Sequence, residues 1–464
     1  MTVDTQTPLV TVYITNYNYG KYIRKAVHSV LNQSKSIFEI IIIDDGSTDN
    51  SREIIEQFED HSNIDIIFQH NKGLNVTNNI ALRVARGKYI MRLDADDFLA
   101  PEALEIMTLR LEEDDELGLI FPDYYLVDDE DNILSIERRH DFKNNVSLYD
   151  QPAHGAVTLI RKSYLLKLGG YDEEFSCQDG YELWVKFVAK FKVGNVNKPL
   201  FYYRQHGSNL TTNENRILET RAKIKKKFVS ITKKRKGTTI AIVPVRGQKY
   251  NSKSVAFKEL GEQSLLDIKL IELLKTNDIE LIVVSSPDHD IKDFVELNYS
   301  ENNKVYFHMR DEKLARLNTG LVDTVASILS IERINRLDPE ILLVSSIEYP
   351  FVNSHTFEDA LNTLAIFESD SLITVRAETS MFLQHHGHGM EAILGMEKFT
   401  RIEREALYRY SGGVIVVRTS EFSKNKALIT GKVGHIEIDQ KTAHSIKSEY
   451  DYNLAQFLHK QAEP

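Results

Sequence analysis

The sequence predicts an α/β protein made of two Rossmann-like domains, because short β-rich runs alternate with amphipathic stretches in two successive series. Its 464 residues exceed one ordinary hydrophobic core and suit two domains of about 200 residues each. The segment KKRKGT at 233–238 interrupts the alternation between the two series. We therefore predict an N-terminal domain over residues 1–236 and a C-terminal domain over residues 237–464.

The first series can be followed element by element. Strands are predicted where apolar residues run together, as in FEIIIIDD at 38–45, which indicates a strand covered on both faces. Helices are predicted where apolar residues recur at helical spacing, as at Ile23, Val27 and Val30. The full prediction is a strand at 9–15, a helix at 21–33, a strand at 38–45, a helix capped by Asp49 or Ser51, a strand at 64–70, a helix at about 76–86 and a strand at 89–94.

Three of the predicted strands end in polar clusters, which are TNYN at 15–18, DDGS at 44–47 and DADD at 94–97. Strands that alternate with helices form parallel sheets, and ligands of such sheets bind beyond the carboxyl ends of the strands. We therefore expect the three clusters to lie on one rim of the N-terminal sheet.

Charge and cysteine content narrow the functional classes. The net charge of −11 argues against nucleic-acid binding, and the single cysteine, Cys177, excludes a disulfide framework or a zinc site of several thiolates. No apolar run reaches the roughly 18 residues of a membrane span, and the first residues lack the pattern of a signal peptide. We expect a cytoplasmic enzyme that binds no nucleic acid.

A basic run at 221–236 contains nine Lys and Arg residues and no acidic residue. Such a run can dock on an anionic membrane surface, which would place the protein peripherally at the inner face of the membrane. The alternative is a solvated helix at the end of the first domain. The sequence leaves both interpretations open.

The DADD cluster places three carboxylates, Asp94, Asp96 and Asp97, within four residues. Carboxylate oxygens suit Mg²⁺ or Mn²⁺, which commonly bind through one or two carboxylates and substrate phosphates. The alternative is a solvated turn in which Asp97 caps a helix that begins near Pro101. The DDGS cluster on a neighbouring strand favours the cation site.

Several runs carry a family resemblance. In chain order they are VTVYITNYNYGKYIRKAVHSVLNQS, IIIIDDGSTDNS, GKYIMRLDADDFLAPEAL, QDGYELWVKF at 178–187 and YYRQHGSN at 202–209. Together they resemble the family 2 glycosyltransferases, which have the GT-A fold. The resemblance implies inverting transfer of a hexosyl or related group from a nucleotide-diphosphate sugar to an acceptor hydroxyl, with Mn²⁺ or Mg²⁺ as cofactor.

The resemblance also implies partners and binding residues. UDP is the commonest carrier in the family, and the acceptor would be a glycan or a lipid-linked sugar in surface polysaccharide or glycan biosynthesis. Asp96 would bind the metal ion. Residues implied to bind the nucleotide sugar are Thr15, Asn16, Tyr17, Asp44, Asp45, Asp94, Asp97, Arg204 and His206.

Lys72 and Asn79 follow the third strand and could reach phosphate or ribose, or could simply belong to a helix-capping loop. Inversion by direct displacement needs one general base aimed at the acceptor hydroxyl. The resemblance places that base at Asp179, and Glu182, one turn along the same helix, is the alternative. Asp179 could also cap this helix, and Trp184 is expected in the core.

The second series, which begins with TTIAIVPVRG at 238–247, resembles the cytidylyltransferases that make CMP-sialic acid and CMP-Kdo. Arg246, Lys249 and Lys253 remain of the family's phosphate-binding loop, but Ser445 and Lys447 stand where the family has paired aspartates. A lysine cannot bind Mg²⁺, so we predict a nucleotidyltransferase-like domain without catalytic activity that can form a homodimer. The alternatives are a bifunctional enzyme that also makes a CMP-sugar and a non-catalytic scaffold.

Overall fold

A computed structural model describes residues 8–35, 38–137, 154–206, 214–232, 237–316, 319–378, 382–385, 390–392 and 407–461. The chain divides into two compact units, unit 1 from Met1 to Ile224 and unit 2 from Lys225 to Pro464. Each unit contains a mixed β-sheet and its own helices, which confirms the predicted α/β class.

Unit 1 begins with four strands whose bounds lie close to those predicted from the sequence. Its elements are β1 Val10–Asn16, α1 Gly20–Leu31, β2 Phe38–Asp44, α2 Ser51–Ile55, β3 Ile64–Phe68, α3 Leu74–Val84, β4 Tyr89–Asp94, β5 Phe98–Leu99, α4 Ala103–Glu112, β6 Leu117–Val127, β7 Ile133–Glu137, β8 Leu159–Arg161, α5 Lys162–Lys167, α6 Asp179–Val188, β9 Lys192–Arg204 and α7 Glu214–Thr232, which crosses the division between the units.

The sheet of unit 1 has the strand order β3-β2-β1-β4-β8-β6-β9-β5, and β7 pairs with β6. β1 lies between β2 and β4 and is parallel to both. The chain adds β2 and β3 on one side of β1 and then returns to add β4 on the other. The carboxyl ends of β1 and β4 therefore flank a topological switch point, where sheets of this kind bind ligands.

The strands at this switch point are anchored by an almost wholly apolar core. All seven residues of β2 are buried, as the continuous apolar run predicted. Glu39, a buried acid near the start of that run, accepts hydrogen bonds from the Thr11 hydroxyl at 2.5 Å and the Arg86 amide at 2.6 Å, and it pairs with the Arg86 side chain. Its burial is therefore compensated, as an isolated interior charge would not be.

Helix α6 packs against the loop before β8 by direct backbone contact. A β-carbon added at Gly180 would lie 2.9 Å from the α-carbon of Gly155, so the contact requires glycine at position 180. Two neighbouring residues have positive φ angles, Val157 at 55° and Gln178 at 63°. For a β-branched residue such a conformation is unusual and is retained only when packing enforces it.

Unit 2 contains a second series of strands and helices. Its elements are β10 Thr239–Pro244, β11 Glu259–Leu260, β12 Gln263–Ser264, α8 Leu265–Leu274, β13 Ile279–Ser286, α9 His289–Tyr299, β14 Val305–Met309, α10 Val322–Leu329, α11 Glu332–Leu337, β15 Ile341–Ser345, α12 Ser354–Phe367, β16 Ser371–Glu378, β17 Leu383–His385, β18 Met390–Ala392, β19 Leu407–Arg418, α13 Thr419–Asn425, β20 Val433–Glu437 and α14 Glu449–Lys460.

The main sheet of unit 2 has the order β14-β13-β10-β15-β19-β16-β20. β10 is parallel to both β13 and β15, whereas β19 runs antiparallel to β15 and β16. A second switch point therefore lies between β10 and β15.

The basic run is partly engaged in contacts with the protein. Lys225 is buried, pairs with Asp359 at 2.6 Å and donates to the Thr363 hydroxyl, while Lys226 pairs with Glu358 at 2.7 Å. These contacts favour the helix interpretation for this part of the run, and residues 233–236 lie outside the described residues. Across the part of the chain that is described, no helix combines the length and apolarity needed to cross a bilayer.

Two glycines next to the switch point of unit 1 test how the backbone there is constrained. Gly46 and Gly73 both have positive φ angles, 81° and 86°. A β-carbon at Gly46 would lie 2.7 Å from the Asn71 amide nitrogen, whereas one at Gly73 would have no heavy atom within 4 Å. Gly73→Ala should therefore lower the free energy of unfolding by about 1–2 kcal/mol, the cost of the left-handed conformation.

Gly46→Ala should cost more than Gly73→Ala, because the backbone at Asn71 must also move. Urea unfolding of both variants measures the difference. Equal losses would show that the turn at Gly46 has room for a side chain.

Candidate active site

The carboxyl ends of β1, β2 and β4 bring the three polar clusters together. Asn16 is the register partner of Asp44, and Thr15 is the register partner of Asp94. The Thr15 hydroxyl donates a hydrogen bond to Asp94 Oδ1 at 3.2 Å. The clusters predicted to share a rim are therefore direct neighbours in the sheet.

Asn16 and Asp44 form a buried network with the turn that follows β2. The Asn16 amide donates to Asp44 Oδ1 at 2.7 Å and to the Ser47 hydroxyl at 3.0 Å, and the Ser47 amide donates to Asp44 Oδ2 at 3.0 Å. Tyr17, which follows Asn16 in the chain, is 47% exposed. The network fixes the turn while leaving the Tyr17 ring accessible to a ligand.

Asp45 shapes the loop that leads into α3. Its carboxylate accepts hydrogen bonds from the Gln69 amide group at 2.7 Å, the Lys72 backbone amide at 2.8 Å and the Gly73 backbone amide at 2.9 Å. The side chain of Lys72 is exposed. Asp45 therefore holds the loop from which Lys72 projects.

Asn79 is occupied by contacts that hold the segment before α6. Its side-chain amide donates to the Tyr171 carbonyl at 2.9 Å and to Glu173 Oε1 at 2.8 Å, and its side-chain oxygen accepts from the Tyr171 amide at 2.9 Å. This placement favours the structural alternative for Asn79 over phosphate or ribose binding.

Asp97 is the most deeply buried carboxylate of the DADD cluster, with 1% exposure. One of its oxygens accepts from the Arg204 backbone amide at 3.0 Å, and the other has no hydrogen-bond partner among the described residues. Burial, followed by the charges of Asp96 and Asp94, raises the pKa of Asp97 well above its ordinary value. The cluster thus has more negative charge than its protein surroundings balance.

The cluster fits a divalent cation. Ligand atoms of Asp94, Asp97 and His154 lie within 4.8 Å of one another. The unpartnered oxygen of Asp97 and the crowding of like charges are what a bound cation would relieve. Nothing in the sequence pointed to His154, because it lies far along the chain in the loop before β8.

His154 is not a free ligand as it stands. Its Nδ1 accepts a hydrogen bond from the Ala156 amide at 3.1 Å. A neutral imidazole has only one unprotonated nitrogen, so binding a metal ion through either nitrogen requires this hydrogen bond to break. The two carboxylates are therefore the better preformed part of the group.

Asp96 forms a second arrangement beside the first. Its Oδ2 lies 2.9 Å from His206 Nε2, and the His206 ring packs against the rings of Tyr19 and Tyr22. Burial and the charges of Asp96, Asp94 and Asp97 raise the pKa of Tyr19, so this phenol stays neutral. His206 and Asp96 thus come together at the rim.

The Arg204 side chain stabilises the backbone of the DADD cluster. Its side chain is 2% exposed, and its guanidinium donates to the Asp96 carbonyl at 3.0 Å, the Asp128 carbonyl at 2.7 Å and Asp131 Oδ1 at 2.5 Å. These bonds fix the turn that carries Asp96 and Asp97. The arrangement favours a positioning role for Arg204 over direct contact with a diphosphate.

Asp179 is the first residue of α6 and is 8% exposed. Its carboxylate forms an ion pair with Arg92 of β4. The expectation that Asp179 caps α6 does not hold, because Gln178 is the N-cap residue and no side chain accepts a capping bond there. Arg92 lies two residues before Asp94 on β4, so the two side chains lie on the same face of the strand; this spacing is the feature of the sequence that points to Arg92.

Glu182 lies one turn along α6 from Asp179 and is also buried. It pairs with Lys186, and burial raises its pKa above the ordinary value. Trp184, on the same helix, is buried and packs edge-to-face against Phe121, so the prediction that Trp184 belongs to the core is confirmed.

Residues 11–167 match the family described as Glycosyl transferase family 2. A chondroitin synthase of Escherichia coli is 34% identical over 207 residues, which are 44% of this chain and 30% of that protein. The chain therefore spans less than a third of the length of that relative.

Two solved structures of lower identity also align. Staphylococcus aureus TarS 1–349 in complex with UDP has 14% identity and a TM-score of 0.41, over 82% of this chain and 98% of that chain. A mannosyltransferase from Pyrobaculum calidifontis, in complex with GDP-Man and Mn²⁺, has 19% identity and a TM-score of 0.39, over 49% of this chain and 65% of that chain.

An uncharacterized glycosyltransferase of Methanocaldococcus jannaschii is similar over most of its own length. It is 32% identical over 205 residues, which cover 42% of this chain and 71% of that protein. The family match itself extends from β1 to α5 and includes all three strand-end clusters. On these grounds the chain belongs to glycosyl transferase family 2.

Proposed function

We propose that unit 1 catalyses inverting transfer of a sugar from a nucleotide-diphosphate sugar to an acceptor hydroxyl. The observation that supports this most is the cluster of buried carboxylates at the switch point of the sheet, with the carboxylate of Asp179 across from it. A charged leaving group and an attacking hydroxyl need two such places, one that holds the diphosphate and one that accepts a proton.

The nucleotide would lie over the ends of β1 and β2. Thr15, Asn16 and Tyr17 line this edge, and the exposed Tyr17 ring offers a surface for a base. Asp44 and Asp45 hold the turns on either side, and Lys72 extends from the loop after β3. UDP is the nucleotide that we propose.

The proposed setting is the synthesis of a surface polysaccharide or glycan on a glycan or lipid-linked acceptor. Two of the similar proteins are named for such polymers, the chondroitin synthase of Escherichia coli and a hyaluronan synthase of Pasteurella multocida, which is 31% identical over 212 residues. This chain covers 21% of the length of the second.

Asp96, with Asp94 and Asp97 beside it, would hold Mn²⁺ or Mg²⁺, and Asp94 would also bind the ribose. A bound cation of this kind neutralises charge on the departing diphosphate. Arg204 keeps the turn in place through its bonds to backbone carbonyls, and His206 holds the Asp96 carboxylate at the rim. The protein thus supplies a preorganised anionic pocket.

Asp179 would act as the general base. As the acceptor oxygen bonds to the anomeric carbon and the bond to the diphosphate breaks, the hydroxyl proton passes to the Asp179 carboxylate. The Asp179 carboxylate forms an ion pair with Arg92 of β4.

For unit 2 we propose a cytidylyltransferase-like domain that has no catalytic activity and forms a homodimer. Ile446, between Ser445 and Lys447, donates to the Glu348 carbonyl at 2.8 Å, so Lys447 lies near the end of β15. The nearby Asp451 is committed to capping α14, where it accepts from the amides of Lys447 and Ser448.

The remaining cations of the loop after β10 offer little to a triphosphate. Arg246 donates to the carbonyls of Ala315 at 2.7 Å and Arg316 at 3.0 Å. Lys249 and Lys253 are exposed. Without paired carboxylates for Mg²⁺, these groups can at most bind a nucleotide weakly.

The metal proposal predicts that Asp96→Ala abolishes transfer while the protein remains folded. Binding of the nucleotide diphosphate should then lose its dependence on Mn²⁺, because the residue that links the metal ion to the diphosphate is gone. Thermal stabilisation by UDP-, GDP-, dTDP- and CMP-sugars, with and without Mn²⁺, identifies the nucleotide and measures this dependence.

His154→Ala is the matched variant for the metal proposal. It should leave metal-dependent binding largely intact if Asp96 is the essential ligand, and should remove it if the cation lies between Asp94, Asp97 and His154. Full transfer activity of the wild type in EDTA would rule out a metal requirement altogether.

The base proposal predicts that Asp179→Asn lowers turnover by roughly 10²-fold or more with little change in nucleotide-sugar binding. Glu182→Gln is the control, since it removes the other buried carboxylate of α6. Steady-state kinetics of both variants decide between them. A severe loss in Glu182→Gln with a mild one in Asp179→Asn would identify Glu182 as the base.

The proposal for unit 2 predicts no pyrophosphate release above background when the full chain is incubated with CTP, Mg²⁺ and a panel of nonulosonic acids. Asp96→Ala serves as a control that excludes any contribution from unit 1. Release with any of these acids would favour the bifunctional alternative. Light scattering tests the homodimer, and a monomeric mass would remove it.

A further inference from the structure

Arg92 joins the two sides of the candidate active site. It is 6% exposed and lies on β4 two residues before Asp94. Its Nε is 3.0 Å from Asp94 Oδ1, in a close ion pair without hydrogen-bond alignment, and its Nη1 forms a hydrogen-bonded ion pair with Asp179 Oδ2. One guanidinium thus contacts a carboxylate of the nucleotide-sugar side and the candidate base.

The backbone around Arg92 brings Asp179 within its reach. The Val157 amide donates to the Arg92 carbonyl at 2.7 Å, which fixes the loop before β8 against β4. A β-carbon at Gly155 would lie 3.4 Å from Arg92 Nη2, and Gly155 also contacts Gly180. The absence of a side chain at Gly180 lets the start of α6 approach this loop, which is itself bonded to β4.

Two tyrosines, Tyr13 and Tyr171, and the acid Asp94 lie close to Arg92 together with Asp179. The Tyr13 hydroxyl lies 3.3 Å from the Tyr171 hydroxyl and donates to Asn78 at 3.2 Å. Burial raises the pKa of Tyr171 to about 12 and that of Tyr13 well above its ordinary value, so both phenols stay protonated. Asp94 and Glu182 are nearby acids, and Glu182 is paired with Lys186, whereas the Asp179 carboxylate is paired with Arg92.

We propose that Arg92 is a positioning residue for the transfer reaction, which orients the Asp179 carboxylate toward the acceptor hydroxyl while it shares its guanidinium with Asp94. The proposal rests on the function proposed for unit 1. A guanidinium is planar and its donors have fixed directions, so Arg92 can direct a hydrogen bond to Asp179 while its charge also lies beside Asp94. A lysine ammonium is a single point charge and cannot hold both in this geometry.

A purely structural role is the competing explanation, because removing a buried arginine leaves two carboxylates without a counter-charge. The two explanations differ in how the substitutions combine. If Arg92 acts through Asp179, its replacement has little further effect once Asp179 can no longer accept a proton. If Arg92 only stabilises the fold, the two effects are independent.

The experiment measures kcat and KM for Arg92→Lys, Asp179→Asn and the double variant, with thermal unfolding of each. We expect Arg92→Lys to lower kcat about tenfold or more with KM for the nucleotide sugar within about threefold of the wild type. In the Asp179→Asn background the same substitution should change kcat less than about threefold.

Arg161→Lys is the matched control. Arg161 is a buried arginine of β8 in the same sheet, and it donates to the carbonyls of Leu117 and Leu111 away from the rim. It should lower the unfolding temperature without a comparable loss of kcat. In Arg92→Ala, added guanidinium should restore part of kcat, and it should restore none when Asp179→Asn is also present.

Additive losses in the double variant, or an equal loss of kcat in Arg161→Lys, would overturn the proposal. If Arg92→Lys does not fold, the guanidinium experiment on Arg92→Ala decides, and rescue that persists without the Asp179 carboxylate counts against it. Absence of transfer by the wild type with every nucleotide sugar would instead overturn the proposed function. An active wild type, an impaired Asp179→Asn and additive effects would overturn the Arg92 proposal alone.

Discussion

The crowding of carboxylates at the carboxyl end of β4 is the constraint that the rest of unit 1 accommodates. Asp94, Asp96 and Asp97 lie within four residues of the chain, and Asp97 is almost completely buried. Charges so close together repel one another, and burial strengthens that repulsion. Two buried arginines contact the cluster. Arg92 lies on β4 itself and pairs with Asp94, and Arg204 lies on β9 and donates to the Asp96 carbonyl.

The two arginines contact different groups: Arg204 bonds mainly to backbone carbonyls, and Arg92 pairs with carboxylates. The Arg204 side chain donates to the carbonyls of Asp96 and Asp128 and to the Asp131 carboxylate, so its hydrogen bonds stabilise the turn that carries the cluster. Arg92 pairs with the carboxylates of Asp94 and Asp179. The result is a rim where negative charge is held in place but not fully neutralised, as a cation site requires.

The sequence predicted those parts of this arrangement that depend on local pattern. Continuous apolar runs located β1, β2 and β4, and the parallel arrangement then placed the polar residues after them on one rim. The contacts of Arg92, His154 and Asn79 could not be predicted from the sequence, because each involves a residue far away in the chain. Asp179 illustrates the limit, since its position predicted a base or a helix cap but not its ion pair with Arg92 of β4.

The contact between Gly155 and Gly180 has a consequence for how the site behaves with temperature. A gap bounded by side chains widens and narrows as those side chains change rotamer, whereas this one is bounded by two backbones in contact. The distance between the two backbones therefore does not change as side chains change rotamer. The backbone distance between β4 and the start of α6, where Asp179 lies, should therefore change little as the protein is warmed.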